Sequence, residues 1–514
     1  MIERIFAIEM RRIAIFFMML LAGSAVLSAQ PSDLQAKLET LAADPALDHA
    51  VVGICVRTAG GVSLVDIASG RMMVPASNMK LITTGAALHA LGADYQYETE
   101  IGFSGTIEDG VLHGDLYIVG GGDPTTASKD SIAVPLEATF REWERAVREA
   151  GIRRIEGRIV GDGRHFEGMP EEPGWLWSDI GTYYGSGTTG LMFYENMQSF
   201  SVSAGPEKGA PVNIVPSYPD TPWMEFRYAC TTGEEGTGDQ LYMYTSDLAP
   251  IAEIRGTFGV DRAAKRVDCS NKFPEYTCAY HFATWLEKRG IACSEGPADF
   301  RLRTDWLEEA DFFDGRSRVG PLSADDLTII GSTFSPTLDR IVFETNHASN
   351  NIFAEALFRT LGREFNGSAS YDSSYVAVND ILKSMGLSCQ YDTNIRDGSG
   401  LSRQNHLSPE FVCRFLGAMM DSPAYEAYLS SLPSPGGDGT LQYNMKGQPS
   451  QLRNRIKAKS GSMNGVRCYS GYILPSAPGG DTLIFSIMTN NCTSPTWKVR
   501  PLLDRMMITL AQSN

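Results

Sequence analysis

The residues best suited to chemistry in this chain stand at Val74-Pro75-Ala76-Ser77-Asn78-Met79-Lys80. Ser77 and Lys80 are three apart, so on a helix the hydroxyl and the ammonium share one face. The stretch that follows, Leu81-Ile82-Thr83-Thr84-Gly85-Ala86-Ala87-Leu88-His89-Ala90-Leu91, is apolar nearly all round. That pattern predicts a helix buried in a core rather than laid on a surface. Lys80 is its one fixed charge. Burial penalises an ammonium and lowers its pKa. A lysine that sheds its proton beside a serine can act as that serine's base. A helix N-terminus also favours developing negative charge. The plainer reading makes Ser77 a helix cap and lets Lys80 snorkel to water. Ser-x-x-Lys is short enough to arise by chance in a chain of 514 residues, so it needs company.

Two further patterns supply it: Ser349-x-Asn351 and Lys459-Ser460-Gly461. Each is weak alone, and a second Ser-x-Asn stands at Ser462-Met463-Asn464. Their order and contexts carry the signal. The first opens a buried helix, the second lies between helices, and the third lies on a strand before another strand. This arrangement is the one found in penicillin-binding proteins and class A β-lactamases. The chemistry uses each type. Ser77 attacks a carbonyl and becomes an acyl-ester, with Lys80 accepting its proton. Ser349 relays a proton to the leaving amine, and Asn351 holds the substrate amide. Lys459 meets a terminal carboxylate and keeps Lys80 deprotonated by like-charge repulsion. Backbone N–H groups of Ser77 and Ser462 form the oxyanion hole.

These groups need a frame. Residues 34–49 read as an amphipathic helix. Val51 to Val56 and Val62 to Ile67 read as a hairpin about Ala59-Gly60-Gly61, just before the Ser77 helix. After Asp94 the texture changes to short strands and glycine-rich turns. Gly120-Gly121-Gly122-Asp123-Pro124 lacks the Lys-Ser/Thr of a phosphate loop and reads as a structural turn. A helix is predicted at about Leu136 to Glu149, one strand at Arg154 to Asp162, β-rich chain over 198–275, a helix at about Tyr280 to Arg289 and a strand near Arg301. Helix and sheet return near Leu327. Helices are predicted at Ser335 to Asn346, Tyr371 to Met385, Ser408 to Met420 and Thr496 to Leu510. Strands are predicted at Ile456 to Lys459, Arg467 to Leu474 and Leu483 to Asn490. About 270 residues separate Ser77 from Ser349 and about 110 separate Ser349 from Lys459, so roughly two hundred residues are inserted in the first interval. The division read from this is a catalytic part at 30–95 and 326–514, and an inserted region at 96–325.

Composition bounds the rest. The chain is 43% hydrophobic and 20% charged, which suits a globular protein of two or three domains. Its formal net charge of -17 argues against a nucleic-acid surface. Arg11 and Arg12, the apolar run Ile13 to Ala22 and Leu27-Ser28-Ala29 form a secretory signal over residues 1–29, with periplasmic export and no stable membrane anchor expected. Removing it takes away Arg4, Arg11 and Arg12 with Glu3 and Glu9, leaving about -18. Nine cysteines remain, an odd number, and any bridge is expected among Cys230, Cys269, Cys278 and Cys293. No ligand pattern for zinc is present.

The motifs, with Leu116 to Pro124, Pro173 to Asp179, Ser349 to Leu357, Asp397 to Arg403, Asp438-Gly439-Thr440-Leu441 and Lys459 to Gly471, give the chain a specific resemblance over its mature length. It resembles the D-alanyl-D-alanine carboxypeptidase/endopeptidase family of low-molecular-mass penicillin-binding proteins, the type with a large insertion after the first motif. That resemblance implies an α/β (α+β) fold: a split transpeptidase/β-lactamase-like domain with two inserted, mostly β domains. It implies a serine peptidase acting on peptidoglycan peptides, with β-lactams as covalent inhibitors and no metal or organic cofactor. It implies that Asp179 and Tyr184 reach the substrate's diamino-acid side chain, with Arg403 near its carboxylate, and that Ser460, Gly461 and Ser462 border the bound peptide. Ser460 stands where Thr is commoner, and Asn350 where Asp is frequent. The competing expectations are a serine β-lactamase or esterase of the same fold and an idle peptidoglycan-binding protein. No Glu-x-x-x-Asn element of class A enzymes is visible, and the intact motifs argue against idleness. A homodimer is left open.

Overall fold

The computed structural model describes residues 33–300, 327–389 and 392–514. The signal segment and the strand expected near Arg301 lie outside the described residues. The chain's two ends build one antiparallel sheet. Its order is Ser63–Ile67, Val51–Thr58, Leu483–Asn490, Val466–Ile473, Ile456–Met463. The middle strand, Leu483–Asn490, is buried at every position. Its run Leu-Ile-Phe-Ser-Ile-Met therefore needs cover on both faces rather than alternation. The helices Asp33–Ala42 and Thr496–Gln512 cover one face, in a cluster with Ile54, Phe485, Leu503 and Met507. The Ser77 helix, Met79–Leu91, lies under the other face. It packs with Asn351–Asn366, Tyr371–Ser384 and Pro409–Met420 in a second cluster that includes Ile82, Phe358 and Phe415.

The Ser77 helix is buried from Met79 to Leu88, as its uniformly apolar surface demands. Ser77 itself sits in the 3-10 turn Ala76–Asn78 just before the α-helix, and Asn78 rather than Ser77 holds the cap position. The tighter turn still leaves Ser77 and Lys80 on one face.

The intervening chain forms other sheets with other cores. A mixed five-stranded sheet runs Pro297–Asp299, Ile159–Asp162, Leu116–Gly120, Glu98–Phe103, Thr328–Phe334. Thr328–Phe334 follows residue 326 in sequence yet pairs with Glu98–Phe103. The helices Leu136–Glu149 and Pro274–Glu287 pack here through Phe140, Trp143 and Phe282, whose rings lie 5.2–5.3 Å apart. Two three-stranded sheets follow, Asn213–Tyr218/Met197–Ser203/Lys265–Ser270 and Glu225–Gly233/Ala249–Gly259/Tyr242–Ser246, around Phe200, Ile254 and Phe258. Tyr97, Phe166 and Met192 cross into the cluster beneath the Ser77 helix.

Three local expectations are corrected. The strand predicted over Arg154 to Asp162 is two strands, Arg154–Ile155 and Ile159–Asp162. Gly157 lies between them, where a Cβ would stand 2.5 Å from the Gly114 carbonyl. The helix predicted from Tyr280 begins at Pro274, which suits the first turn of a helix. All nine cysteines are free thiols. Cys230 and Cys269 belong to one apolar cluster, and Cys278 and Cys293 to another, so nearness in sequence does not make the four a bridging set.

Candidate active site

Two segments close on the Ser77 turn. The 397–402 loop and the strand Ile456–Met463 both abut the Pro75–Ser77 backbone, and each does so at a glycine. A Cβ on Gly400 would lie 1.9 Å from the Ala76 carbonyl oxygen, and one on Gly461 would lie 2.5 Å from that of Pro75. Only glycine allows these approaches. Asn78 Nδ2 ties the turn to the sheet by donating to Ser470 Oγ at 2.7 Å.

Lys80 is fully buried. Its Nζ lies 3.2 Å from Ser77 Oγ, 2.6 Å from Asn351 Oδ1 and 2.7 Å from the Ser399 carbonyl oxygen. Burial drives its pKa down to about 7, against the opposing pull of Glu355 and Asp397. Lys459 is equally buried. Its Nζ donates to Ser349 Oγ at 2.8 Å and to the Ser460 carbonyl at 2.9 Å. Burial pushes its pKa well down and the charge of Lys80 pushes it further. The expected repulsion between the lysines therefore bears on Lys459. Lys80 is depressed by burial instead.

Ser349 holds a left-handed backbone, φ 59°, uncommon for a residue with a Cβ. Asn350 then caps the helix Asn351–Asn366, its side chain accepting from Phe353 N–H at 3.2 Å. Asn351 follows at the first helical position. Its Nδ2 donates to the Tyr184 carbonyl at 2.8 Å, which leaves the second N–H of that amide free of this bond.

Two buried carboxylates hold the loop that supplies the Ser399 carbonyl. Glu355 accepts from Ser399 N–H at 2.7 Å and Gly398 N–H at 3.2 Å, and burial raises its pKa to about 8. Asp397 accepts from Gly400 N–H at 2.8 Å, Ser402 N–H at 2.6 Å and Trp175 Nε1 at 2.8 Å. Neither carboxylate was singled out in the sequence. A glutamate inside the apolar run Ile352–Leu357 was the available sign.

A cleft of about 880 Å³ opens over this centre. Ser77, Ser349, Asn351, Ser462, Asp179, Tyr184 and Arg403 all line it. Lys80 and Lys459 lie buried behind that lining. Ser460 and Gly461 are also behind it: Ser460 Oγ donates to Thr440 Oγ1 at 3.1 Å, and Gly461 packs on the Ser77 turn. Tyr184 OH donates to Asp179 Oδ1 at 3.4 Å. Burial raises the Asp179 pKa, opposed by Tyr184 and then Arg403. Arg403 Nη1 and Nη2 each reach the Asn464 carbonyl at 3.4 Å. Glu195, a buried carboxylate that sequence reasoning missed, lines the cleft beside Asn350.

The family model described as D-Ala-D-Ala carboxypeptidase 3 (S13) matches residues 34–296 and 323–507. A D-alanyl-D-alanine carboxypeptidase of Actinomadura sp. (strain R39) is 28% identical over 503 residues, 93% of this chain and 85% of the relative. The D-alanyl-D-alanine carboxypeptidase DacB of Haemophilus influenzae is 23% identical over 80% of this chain and 79% of its own length. The crystal structure of penicillin binding protein 4 (dacB) from Haemophilus influenzae superposes with a TM-score of 0.76 at 19% identity, over 94% of this chain and 99% of that one. The mixed α/β architecture is thus that of a known fold. No helix among the described residues is long and apolar enough to cross a membrane.

Proposed function

The chain belongs to the D-Ala-D-Ala carboxypeptidase 3 (S13) family, and on that premise we propose that it is a serine peptidase cleaving D-Ala-D-Ala peptides of peptidoglycan through an acyl-enzyme on Ser77. One observation carries the reading: a fully buried Lys80, depressed to about 7, with its Nζ 3.2 Å from Ser77 Oγ. A neutral amine has two N–H groups and one lone pair. The two N–H groups suit the carbonyl oxygens of Asn351 and Ser399, and the lone pair is then left for the Ser77 hydroxyl. Burial favours the neutral form of this amine, and the two carbonyl oxygens support the direction of its lone pair toward Ser77.

In this mechanism Lys80 takes the Ser77 proton as Oγ bonds to the penultimate D-Ala carbonyl carbon. The N–H groups of Ser77 and Ser462 receive the oxyanion. The C–N bond breaks as the proton taken by Lys80 reaches the departing amine of the last D-Ala through the Ser349 hydroxyl, which gives one proton and gains another and leaves Lys80 neutral again. Water then hydrolyses the ester. Lys459 orients Ser349 and meets the terminal carboxylate. That anion opposes the burial and repulsion that lower the Lys459 pKa, so substrate favours a charge on Lys459 and disfavours one on Lys80. Asp179, with Tyr184, meets the amine of the diamino acid, and Arg403 its carboxylate. Ser462 borders the peptide on the cleft surface, and Ser460 and Gly461 support it from behind the lining.

We read the inserted chain as accessory modules, supported by their separate apolar clusters, with Thr328–Phe334 joining them by its pairing. Export to the periplasm and trapping by β-lactams are part of the same reading. Intact-mass measurement after benzylpenicillin treatment tests it. A stable adduct is expected on the parent protein and none on Ser77→Ala. An adduct on the variant removes Ser77 as nucleophile. Rapid turnover of penicillin by the parent would instead indicate a β-lactamase, and absence of labelling an idle protein.

A further inference from the structure

The wall of the cleft built by Tyr183 and Tyr184 has a second side. Behind it lies a groove of about 550 Å³, floored by the strands Tyr242–Ser246 and Lys265–Ser270. Lys129, Tyr183, Tyr184 and Tyr242 line both spaces, so groove and cleft adjoin across that wall. Neither catalytic lysine nor either serine of the first two motifs lines the groove.

Its charges are engaged with one another. Lys265 pairs with Asp239 at 2.8 Å, and Lys129 and Arg266 both pair with Asp268 at 2.9 Å. A charged peptide end entering here would have to displace an existing partner. The same groups, held in fixed directions and partly exposed, still offer both donors and acceptors. Tyr183 and Tyr242 add exposed aromatic faces, 54% and 46% accessible. Aromatic faces beside charge-balanced, hydrogen-bonding side chains suit a neutral, polyhydroxylated ring.

We propose that this groove binds the saccharide of peptidoglycan, the disaccharide that bears the stem peptide. The proposal rests on the peptidase reading for the direction of the chain. The scissile bond lies at the stem's free end, and the diamino acid lies between that bond and the sugar. A stem running from Ser77 past Asp179 and Tyr184 comes next to Tyr183, Tyr242 and the groove.

Calorimetry with product-like ligands tests it, since these are not turned over. The disaccharide-tetrapeptide should bind the full chain about three- to ten-fold tighter than the free tetrapeptide, the size of an aromatic stacking gain. Tyr242→Ala should erase that difference; because Tyr242 also borders the cleft, the readout is the ratio of the two Kd values rather than either value alone. Equal Kd values for the two ligands in the parent protein overturn the proposal, as does an equal weakening of both in Tyr242→Ala. A gain shown equally by a sugar-free cross-linked peptide, and lost in Tyr242→Ala, overturns it by assigning the groove to a second stem. Failure of the peptidase reading is separate: it appears as absence of a penicillin adduct on Ser77, whatever the Kd values.

Discussion

Lys80 and Lys272 are both buried lysines, one beneath the catalytic cleft and one in the inserted chain, and they are satisfied in opposite ways. Lys272 Nζ meets the Glu171 carboxylate at 2.5 Å and the carbonyls of Gly185 and Ser186 at 3.2 Å. Lys80 has two carbonyl oxygens and a hydroxyl, with no carboxylate in hydrogen-bond contact. Its two acidic neighbours, Glu355 and Asp397, are engaged with the backbone of the 397–402 loop. A carboxylate in contact balances an ammonium and makes a tie between segments. Neutral acceptors satisfy the N–H groups while leaving the charge uncompensated, so the proton can leave. Burial alone does not make a base. Burial lowers the Lys80 pKa, and no carboxylate in contact offsets it.

The largest effect should come from spoiling that arrangement. Lys80→Arg keeps a cation that cannot deprotonate near neutral pH, so acylation should fall by about 10²- to 10⁴-fold. Stopped-flow acylation by a chromogenic β-lactam measures it, and a rate within a few-fold of the parent would remove Lys80 as the base. The parent's profile sharpens the point. A base with pKa about 7 is protonated and idle below that value and free above it, so the rate should climb from about pH 6 to about pH 8 and then level.

Lys272→Met is the counterpart. It strands Glu171 in a buried site, and breaking a buried pair typically costs about 3–5 kcal/mol. The expected loss is in stability, read as a lower denaturation midpoint, while acylation by the protein that remains folded falls far less than in Lys80→Arg, since Lys272 ties down the carbonyls after Tyr184 and not a reacting group. A normal midpoint with slowed acylation would reverse the roles given to the two lysines.

Asp179→Asn probes the exposed side of the cleft. Losing a charge-assisted hydrogen bond to the substrate's amine should cost about 10- to 150-fold in kcat/KM for peptides with a free diamino-acid amine. Benzylpenicillin has no such amine, so its acylation should hardly change. Equal losses for both would make Asp179 structural, because it also accepts from Tyr184.

What could be read from the sequence was local. Ser77 and Lys80 share one turn, the Lys459 strand and its partner form one hairpin, and the helix at Tyr371–Ser384 announces itself by periodicity. What could not be read depends on contacts across long loops. Trp175 meets Asp397, and Asn351 meets the Tyr184 carbonyl, over separations of 222 and 167 residues. No periodicity records such pairs. The same holds for the cysteines, whose assignment to two different cores is a property of the assembled sheets. The direction of the lysine repulsion depends on relative burial, which a motif does not contain.

The smallest expected effect concerns the join between the two regions, at Asn350. In sequence this residue is a departure, an amide where a carboxylate is frequent. In the structure it uses both ends: Oδ1 caps the Asn351 helix at Phe353 N–H, and Nδ2 donates to Glu195 Oε2 at 2.9 Å. Glu195 stands in an unusual turn, with Tyr194, Glu195 and Asn196 all left-handed at φ 54°, 53° and 50°. Its other oxygen accepts from Ser128 at 2.7 Å. The inserted chain thus grips the residue after Ser349, which is itself left-handed. Aspartate at this position would cap the helix as well but could not donate, and two carboxylates would face each other. Asn350→Asp should therefore slow acylation by about three- to ten-fold at about pH 8, the size of one lost hydrogen bond. Lowering the pH protonates one carboxyl of the new pair, so the ratio of variant to parent should move back toward one at about pH 5.5. Adding Glu195→Gln restores a donor on the opposite side, and the double variant should recover most of the loss at the higher pH. If Asn350→Asp acylates like the parent, or if adding Glu195→Gln brings no recovery, the join does not position Ser349, and the two regions meet at the cleft without steering its chemistry.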